Sequence, residues 1–348
     1  MGCGTWAWGN RLLWGYDPGM DQQLQQVFNL CVEHGVTLFD TGDSYGTGKL
    51  NGRSEALLGQ FSQEYSGVNR ENICLATKLA AYPWRLTPNS MVAACRASTQ
   101  RLGRTVDLVQ MHWSTANYFP WQEQALLEGL INACEQGLAG YVGLSNYGPK
   151  RLRKVHQRFA ERGVAIATLQ VQCSLLSTYP LVELELKQVC DELNIQLIAY
   201  SPLGLGLLTG KYQDKNSLPK GIRGLLFRQL LPGIQSLLDC LQEIAQQRQK
   251  TMAQVALNWC ICKGTIPIPG AKTIQQAQEN LGALGWQLDD AEVTALDQAA
   301  ANSPKKMVQN IFQTRLFFFD IVSTEAEWRV ARRPPSHHSY FAAGRKPS

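Results

Sequence analysis

Apolar positions along this chain fall into short runs that alternate with longer, periodic segments. The short runs are rich in Val, Ile, Leu and aromatic residues and are near-continuously apolar, which predicts strands buried on both faces. Such strands are typical of a parallel sheet covered by helices. The predicted strands cover residues 4–8, 37–42, 73–79, 106–113, 141–146, 167–174, 196–203 and 265–271.

The segments between these strands carry helix start and stop signals. Thr87 and Pro88 open a predicted helix over 88–102, since Pro suits a first helical turn, and Gly35 ends another over 22–35. Further helices are predicted over 54–64, 121–138, 149–163, 181–194, 233–249, 251–263, 274–284 and 290–301.

Eight strand and helix units fit either an open doubly wound sheet or a (β/α)8 barrel. Eight units over about 300 residues favour the barrel. Candidate polar residues also lie near the C-terminal ends of different strands, which a barrel gathers on one face and an open sheet spreads apart. We therefore predict an α/β protein with a single-domain (β/α)8 TIM barrel over 1–304 and an extra C-terminal helix and tail. These polar residues are Asp40, Lys78, His112, Asn146, Gln170 and Tyr200.

Charge and cysteine usage narrow the possible partners. The 348 residues carry a net charge of +5 with scattered Lys and Arg, whereas nucleic-acid binding needs a clustered basic face. No apolar run approaches the roughly 20 residues of a membrane span. The 10 cysteines are spread singly, which favours free thiols in a reducing compartment over disulfides or metal sites. We expect no nucleic acid, membrane or metal partner, and the oligomeric state stays open.

Four residues at strand ends form a candidate proton-donating group: Asp40, Tyr45, Lys78 and His112. An unperturbed tyrosine has a pKa near 10. A neighbouring lysine cation favours the phenolate and lowers that pKa, and a carboxylate keeps the lysine charged despite burial. A nearby histidine can orient a carbonyl oxygen by a hydrogen bond. Singly, each residue is explained as well by turn formation, solvent contact or core packing; together they supply a complete catalytic group.

The segment from Phe39 to Gly46 resembles the Asp-Thr-Ala-x-x-Tyr-Gly segment of the aldo-keto reductases, and the resemblance covers roughly 4–315. It looks most like the plant and cyanobacterial branch of that family. The resemblance implies a barrel that binds NADPH and reduces a small-molecule aldehyde or ketone. It implies that Tyr45 is the general acid, that Lys78 and Asp40 adjust the pKa of Tyr45, and that His112 orients the carbonyl group.

The same resemblance implies where NADPH binds. Gly143–Asn146 matches the family's Gly-x-Ser-Asn, 200–206 matches a segment that stacks on the nicotinamide and wraps the pyrophosphate, and 268–273 matches the adenosine-phosphate site. Three tryptophans, Trp8, Trp84 and Trp113, are expected to shape the substrate pocket. The implied cofactor residues are Ser145, Asn146, Gln170, Tyr200, Ser201, Pro202, Leu203, Gly204, Gly206, Lys211, Gly270, Lys272, Gln276, Glu279 and Asn280.

Some features depart from the family pattern. The chain starts inside the first barrel strand, without the hairpin that plugs the barrel floor in relatives, and residues 316–348 resemble nothing in the family. Position 276 is Gln where many relatives place an Arg for the 2′-phosphate, so NADP preference would depend on Lys272. No Gly-x-Gly-x-x-Gly sequence follows a strand and opens a helix, which disfavours a Rossmann fold.

The ends of the chain and one long loop carry further expectations. Residues 305–315 look like the family's C-terminal segment, and 316–348 is expected to be a disordered tail in which His337 and His338 are a weak metal candidate. The segment 212–231 is expected to be an irregular loop that serves as a cofactor or substrate lid, or else a surface insert.

The sequence therefore predicts an NADPH-dependent carbonyl reductase, cytoplasmic or in the chloroplast stroma, since no targeting segment is recognised. One alternative is a catalytically slow, nicotinamide-binding regulatory subunit of the same fold. Another is an inactive product of a defective gene model. The carbonyl substrate is not specified by the sequence.

Overall fold

Eight parallel strands form a closed barrel in the computed structural model, which describes residues 1–46, 48–212, 217–219 and 221–308. Neighbours in the sheet follow chain order from β1 to β8. The barrel closes where Gly4 bridges Gly270 in parallel and the Gly2 amide donates to the Pro267 carbonyl at 2.9 Å. The strands are β1 Cys3–Gly4, β2 Leu38–Asp40, β3 Cys74–Leu79, β4 Val106–Met111, β5 Ala139–Ser145, β6 Ile166–Gln172, β7 Gln196–Tyr200 and β8 Ile266–Pro267.

Helices follow the strands and cover the outside of the barrel, so the predicted (β/α)8 fold is confirmed. Most begin and end within a few residues of their predicted bounds, and the helix predicted over 88–102 is found over Pro88–Leu102. The helices are α1 Arg11–Trp14, α2 Asp21–Glu33, α3 Arg53–Glu64, α4 Pro88–Leu102, α5 Pro120–Glu135, α6 Pro149–Ala160, α7 Tyr179–Val182, α8 Leu186–Glu192, α9 Ile222–Leu230, α10 Gln235–Gln247, α11 Met252–Cys262, α12 Ile274–Leu281 and α13 Asp290–Asn302.

Four predicted elements differ from those observed. The first and last strands are shorter than predicted, because the chain turns after Gly4 and because Pro267 and Pro269 cannot donate to a sheet ladder. The helix predicted over 181–194 is divided into α7 and α8, with Glu185 at a left-handed φ of 47° before α8. The irregular loop expected over 212–231 contains α9, whose buried residues Phe227 and Leu230 are three positions apart and pack on the core.

The core lies between the barrel and its helices, while polar groups fill the C-terminal end of the barrel interior. Phe39 of β2 packs against Phe28 of α2 with ring centroids 4.4 Å apart. Inside the barrel, Asp40 accepts hydrogen bonds from Gln110 and Gln170 on strands β4 and β6. Because buried polar groups are costly unless paired, these hydrogen bonds offset the cost of burying the Asp40 carboxylate.

Several sequence expectations concern residues outside the described part of the chain. These are residues 309–315 of the family-like segment, the tail over 316–348 with His337 and His338, and residues 213–216 and 220 of the expected lid. Among the helices that are described, none has both the length and the apolar character that a membrane span requires. Within the same residues, no group of three or more His, Cys, Asp or Glu side chains is arranged to hold a metal ion.

Candidate active site

A cavity of about 670 Å³ opens at the C-terminal ends of the strands, and the four predicted catalytic residues line it. Asp40 ends β2, Tyr45 lies in the turn that follows, Lys78 lies near the end of β3, and His112 follows β4. The barrel brings together residues separated by up to 72 positions in the chain, as its parallel topology requires.

Asp40 and Lys78 form an ion pair that is almost completely buried, with 2% and 1% of their side chains exposed. Oδ1 of Asp40 accepts from Lys78 Nζ, and Oδ2 accepts from Nε2 of Gln110 and of Gln170, each at 2.8 Å. Burial is the largest single effect and lowers the pKa of Lys78, but the Asp40 carboxylate and Tyr45 together outweigh it, so the pKa is raised. Lys78 is therefore a fixed cation in the barrel interior.

Tyr45 lies directly beside this cation. Nζ of Lys78 is 4.9 Å from the centroid of the Tyr45 ring, and the ring of His112 is 5.7 Å away at 72°. Burial raises the pKa of Tyr45, and Lys78 offsets only part of that rise. The expectation of a net lowered tyrosine pKa is wrong for this structure, because desolvation of the phenolate is the larger effect. The phenol is protonated, as a proton donor must be.

His112 is a neutral imidazole in the cavity wall. Burial, with a smaller contribution from the Lys78 charge, lowers the pKa of His112 to about 3. Its Nδ1 lies 3.3 Å from the hydroxyl oxygen of Ser44, and Trp113 packs beside it with ring centroids 4.9 Å apart. A neutral histidine has one N–H donor and one acceptor, so it can offer a single directed hydrogen bond to a ligand oxygen.

The ends of β5, β6 and β7 place a second group of predicted residues in the cavity wall. The Ser145 hydroxyl donates to the Gln170 carbonyl at 2.9 Å, and Tyr200 Oη donates to Asn146 Oδ1 at 3.0 Å. Asn146 has a left-handed φ of 62°, a conformation that costs energy for a residue other than Gly and is concentrated at functional sites. Its Nδ2 also donates to the Ser145 hydroxyl oxygen at 3.1 Å, so the backbone and two hydrogen bonds fix where the side chain points.

The chain after β7 turns sharply along one side of the cavity. Ser201, Leu205 and Gly206 have φ values of 52°, 57° and 107°. Pro202, Leu203 and Lys211 also line the cavity. Gly204 is buried behind the turn, and a Cβ added at this glycine would lie 2.9 Å from the side chain of Leu176. The backbone is thereby brought close to the space that an elongated ligand would fill.

The end of β8 and the start of α12 form the far end of the same cavity. Gly270, Lys272, Gln276, Glu279 and Asn280 line it. Gln276 Oε1 accepts from the Lys272 amide at 2.8 Å, and the Lys272 ammonium donates to the Trp14 carbonyl at 2.6 Å. An ammonium beside a helix N-terminus suits a phosphate, and the cavity runs from this end to Tyr45, so these residues fit a dinucleotide.

The three tryptophans expected in the substrate pocket lie in different environments. Trp113 lines the cavity beside His112. Trp8 is fully buried, donates from its indole nitrogen to the Ala271 carbonyl at 3.0 Å, and packs on Phe61. Trp84 is 70% exposed and stacks on Tyr82 outside the cavity. The prediction that Trp8 and Trp84 line the pocket is wrong; Trp6 does so instead.

Several cavity or network residues were missed by the sequence reasoning, including Gln110, Trp6, Trp14 and Arg223. Gln110 lies two positions before His112, so its spacing from a candidate at a strand end is a signal that was available. Trp6 reaches the cavity from the turn after β1, Trp14 from the end of α1 and Arg223 from α9, and no periodicity marks them.

Comparisons with known proteins show which proteins this chain is similar to. The family model described as "Aldo/keto reductase family" matches residues 1–301. The chloroplastic pyridoxal reductase of Arabidopsis thaliana is 58% identical over 318 residues, which is 90% of this chain and 87% of that protein. The L-glyceraldehyde 3-phosphate reductase of Escherichia coli K12 is 30% identical and covers 82% of this chain and 85% of its own. A Klebsiella pneumoniae aldo/keto reductase solved with NADP and acetate has a TM-score of 0.66 and 25% identity over 90% of this chain and 94% of its own.

Proposed function

We propose that this chain, which belongs to the aldo/keto reductase family, is an NADPH-dependent reductase that converts pyridoxal to the corresponding alcohol. The observation that carries the reaction type is the placement of Tyr45, beside buried Lys78 and near His112, on the wall of the large cavity. The substrate is proposed from the pyridoxal reductase of Arabidopsis thaliana, which shares 58% of the aligned residues.

The proton transfer begins at the hydroxyl of Tyr45. NADPH, when bound, would supply a hydride to the carbonyl carbon. As negative charge develops on the carbonyl oxygen, Tyr45 gives it the phenolic proton, and the Lys78 cation stabilises the phenolate that remains. Asp40 holds Lys78 in place by the buried ion pair.

His112 orients the carbonyl group. When its Nδ1 accepts from the Ser44 hydroxyl, its proton lies on Nε2, from which it can donate to the substrate oxygen. Because His112 is neutral, it provides this donor without adding a second cation beside Lys78. Trp113, packed on His112, offers an aromatic face to the pyridine ring of pyridoxal.

The cofactor would lie along the rest of the cavity. Asn146, Ser145 and Gln170 would contact the nicotinamide amide, Tyr200 its ring, and the turn from Ser201 to Gly206 the pyrophosphate. Lys211, Gly270, Lys272, Gln276, Glu279 and Asn280 would surround the adenosine end. Gln170 also donates to Asp40, so it would connect the cofactor site to the catalytic ion pair.

A direct test is calorimetric titration of the protein with NADPH and NADH, followed by NADPH oxidation in the presence of pyridoxal. We expect tight NADPH binding and pyridoxal turnover above that of simple aliphatic aldehydes. Nucleotide binding without turnover of any carbonyl would favour a regulatory role, and turnover of other aldehydes with no preference for pyridoxal would reject the substrate.

We also propose the chloroplast as the compartment, because the Arabidopsis relative is named as chloroplastic. Fractionation of plant tissue with an antibody against this protein would test it. Detection in the cytosolic fraction alone would contradict the proposal.

A further inference from the structure

Asp43 attaches the turn that carries Tyr45 to the end of β3. The backbone amide of Asp43 donates to the Lys78 carbonyl at 2.9 Å, and its Oδ1 accepts from the Ala80 amide at 3.1 Å. Only 3% of the Asp43 side chain is exposed. Residues 42–45, the tyrosine turn, are thus joined to β3 and to the residue that follows it.

Arg85 balances the charge of Asp43 from the loop between β3 and α4. Nη1 of Arg85 lies 2.6 Å from Oδ2 of Asp43 and donates to the Ala80 carbonyl at 2.7 Å. Oδ2 of Asp43 is buried and has no hydrogen-bond partner among the described residues. Because a buried carboxylate is costly without a cation, the ion pair with Arg85 offsets that cost and holds the tyrosine turn against the loop.

The loop that carries Arg85 is itself held in place. Nε2 of Gln122, a buried residue of α5, donates to the Tyr82 carbonyl at 2.8 Å and to the Arg85 carbonyl at 3.1 Å. The Arg85 amide donates to the Tyr82 carbonyl at 2.9 Å, and the guanidinium lies 5.0 Å from the centroid of the Tyr82 ring. The cation that pairs with Asp43 is therefore supported by the neighbouring helix as well as by its own loop.

The tyrosine turn places two groups of the catalytic site. The ring centroid of Tyr45 lies 4.9 Å from Nζ of Lys78 and 5.7 Å from the ring of His112. Ser44, between Asp43 and Tyr45, has its hydroxyl oxygen 3.3 Å from Nδ1 of His112. A displacement of the turn would therefore move the proton donor and the hydroxyl that orients His112 together.

We propose that Asp43 and Arg85 are positioning residues, which hold Tyr45 and the Ser44 hydroxyl in the places that proton transfer requires. This inference rests on the proposed function, in which Tyr45 is the proton donor. Neither Asp43 nor Arg85 is among the described residues that line the cavity, so each acts through the turn and not on the substrate or the cofactor. Reaction rates depend steeply on the placement of the reacting groups, and a displacement of about 1 Å can lower a rate about 100-fold.

The alternative is that this ion pair stabilises the fold and nothing more. A purely stabilising pair would lower the unfolding temperature of a variant without changing the kcat of the protein that remains folded. A positioning pair changes kcat in the folded protein and leaves the affinity for NADPH unchanged, because the residues proposed to bind NADPH lie at the ends of other strands.

The test compares Asp43→Asn, Arg85→Gln and the double variant by NADPH oxidation with pyridoxal and by calorimetric titration with NADPH. Asp43→Asn keeps an oxygen for the Ala80 amide and removes the charge that pairs with Arg85. We expect each single variant to lower kcat about 10- to 100-fold, while the Kd for NADPH changes less than about 3-fold. The double variant should be no slower than either single variant, because the two residues act as one unit. Arg85→Lys keeps the cation and should recover part of kcat.

Hydrogen exchange measured by mass spectrometry provides a readout that does not depend on activity. Over residues 41–46, exchange should be faster in Asp43→Asn and Arg85→Gln than in the wild type, whereas exchange in α13 should be unchanged. Glu192→Gln is the control, since it removes one partner of the exposed ion pair with Arg153 and should alter neither kcat nor exchange over 41–46. Thermal unfolding identifies any variant that has lost its fold, and Arg85→Lys then provides the comparison.

Wild-type kcat in folded Asp43→Asn and Arg85→Gln would overturn the inference, as would equal losses of kcat and NADPH affinity or additive losses in the double variant. These outcomes are separable from that of the proposed function. Faster exchange over 41–46 in a protein that reduces no carbonyl would support the attachment of the turn and reject the reductase. Turnover of pyridoxal by the wild type, with unchanged kcat in the variants, would reject the positioning role alone.

Discussion

Gln170 donates a hydrogen bond of 2.8 Å from Nε2 to Oδ2 of Asp40, although the two residues are 130 positions apart in the chain. The same Nε2 lies 3.2 Å from Oε1 of Gln110, which accepts from it. Nε2 of Gln110 in turn donates to the same Asp40 oxygen. The carboxylate therefore has partners on both oxygens, and the Lys78 ion pair rests on an amide network from β4 and β6. The two amides hold the Asp40 carboxylate in place, and Asp40 in turn holds Lys78 beside Tyr45.

Replacing Tyr45 with Phe tests the general acid. The variant retains the ring beside Lys78 and loses only the hydroxyl, so we expect turnover to fall by about 10²- to 10⁴-fold with NADPH affinity little changed. Steady-state NADPH oxidation and calorimetric titration measure the two quantities. Turnover close to that of the wild type would reject Tyr45 as the proton donor.

The buried ion pair should govern stability as well as activity. Lys78→Met leaves Asp40 as a buried carboxylate without its cation, which costs about 3–5 kcal/mol in the free energy of unfolding. The double variant Lys78→Met/Asp40→Asn removes both charges and should recover most of that stability while staying inactive. Urea unfolding measures both; a single variant as stable as the double one would show that the pair does not act as a unit.

Gln110 is expected to position Asp40. Gln110→Leu removes one of the two amide donors to Oδ2 and should lower kcat/KM by about 10- to 100-fold, since a hydrogen bond to a charged group contributes about 1.5–3 kcal/mol. A purely structural role would lower the unfolding temperature without changing the pH profile of kcat. The exposed Gln188→Leu on α8 is the control and should leave both readouts unchanged.

Acid should destabilise the protein partly through His112. The folded-state pKa is lowered to about 3 from the ordinary value of 6.5, so between these values the unfolded chain binds one more proton than the folded one. Stability then falls as the pH falls below 6.5, by up to about 1.4 kcal/mol per pH unit from this group. Urea unfolding at several pH values should show a shallower acid dependence for His112→Gln. The exposed His34→Gln should keep the wild-type dependence, and an equal dependence in all three proteins would contradict the prediction.

Trp113, which lines the cavity as predicted, and Trp84, which does not, can be compared in one experiment. Trp113→Ala removes an aromatic face from the cavity and should raise KM for pyridoxal about 10-fold, in line with the energy of one aromatic contact. Trp84→Ala removes an exposed ring outside the cavity and should leave KM unchanged. A larger effect of Trp84 than of Trp113 would show that the substrate extends over the outer rim.

The sequence alone predicted the fold from local patterns, and it predicted most of the cavity wall from those patterns together with the resemblance to a known family. Near-continuous apolar runs predict strands buried on both faces, and eight such runs alternating with helices suit a closed barrel. Once the barrel is accepted, residues at strand ends such as Asp40, Lys78 and Asn146 must share one face. The motif around Tyr45 then supplied the chemistry.

Only the tertiary structure decided which loop residues meet these strand ends and how their charges balance. Trp6 faces the cavity while Trp8 packs in the core, because the chain has left the strand after Gly4 and alternation no longer applies. Arg223 approaches Lys272 through a helix within a segment that was predicted to be irregular. The net direction in which the Tyr45 pKa shifts was also decided by the tertiary structure. Burial raises this pKa and the Lys78 charge lowers it, and the size of each effect depends on distances that a sequence does not contain.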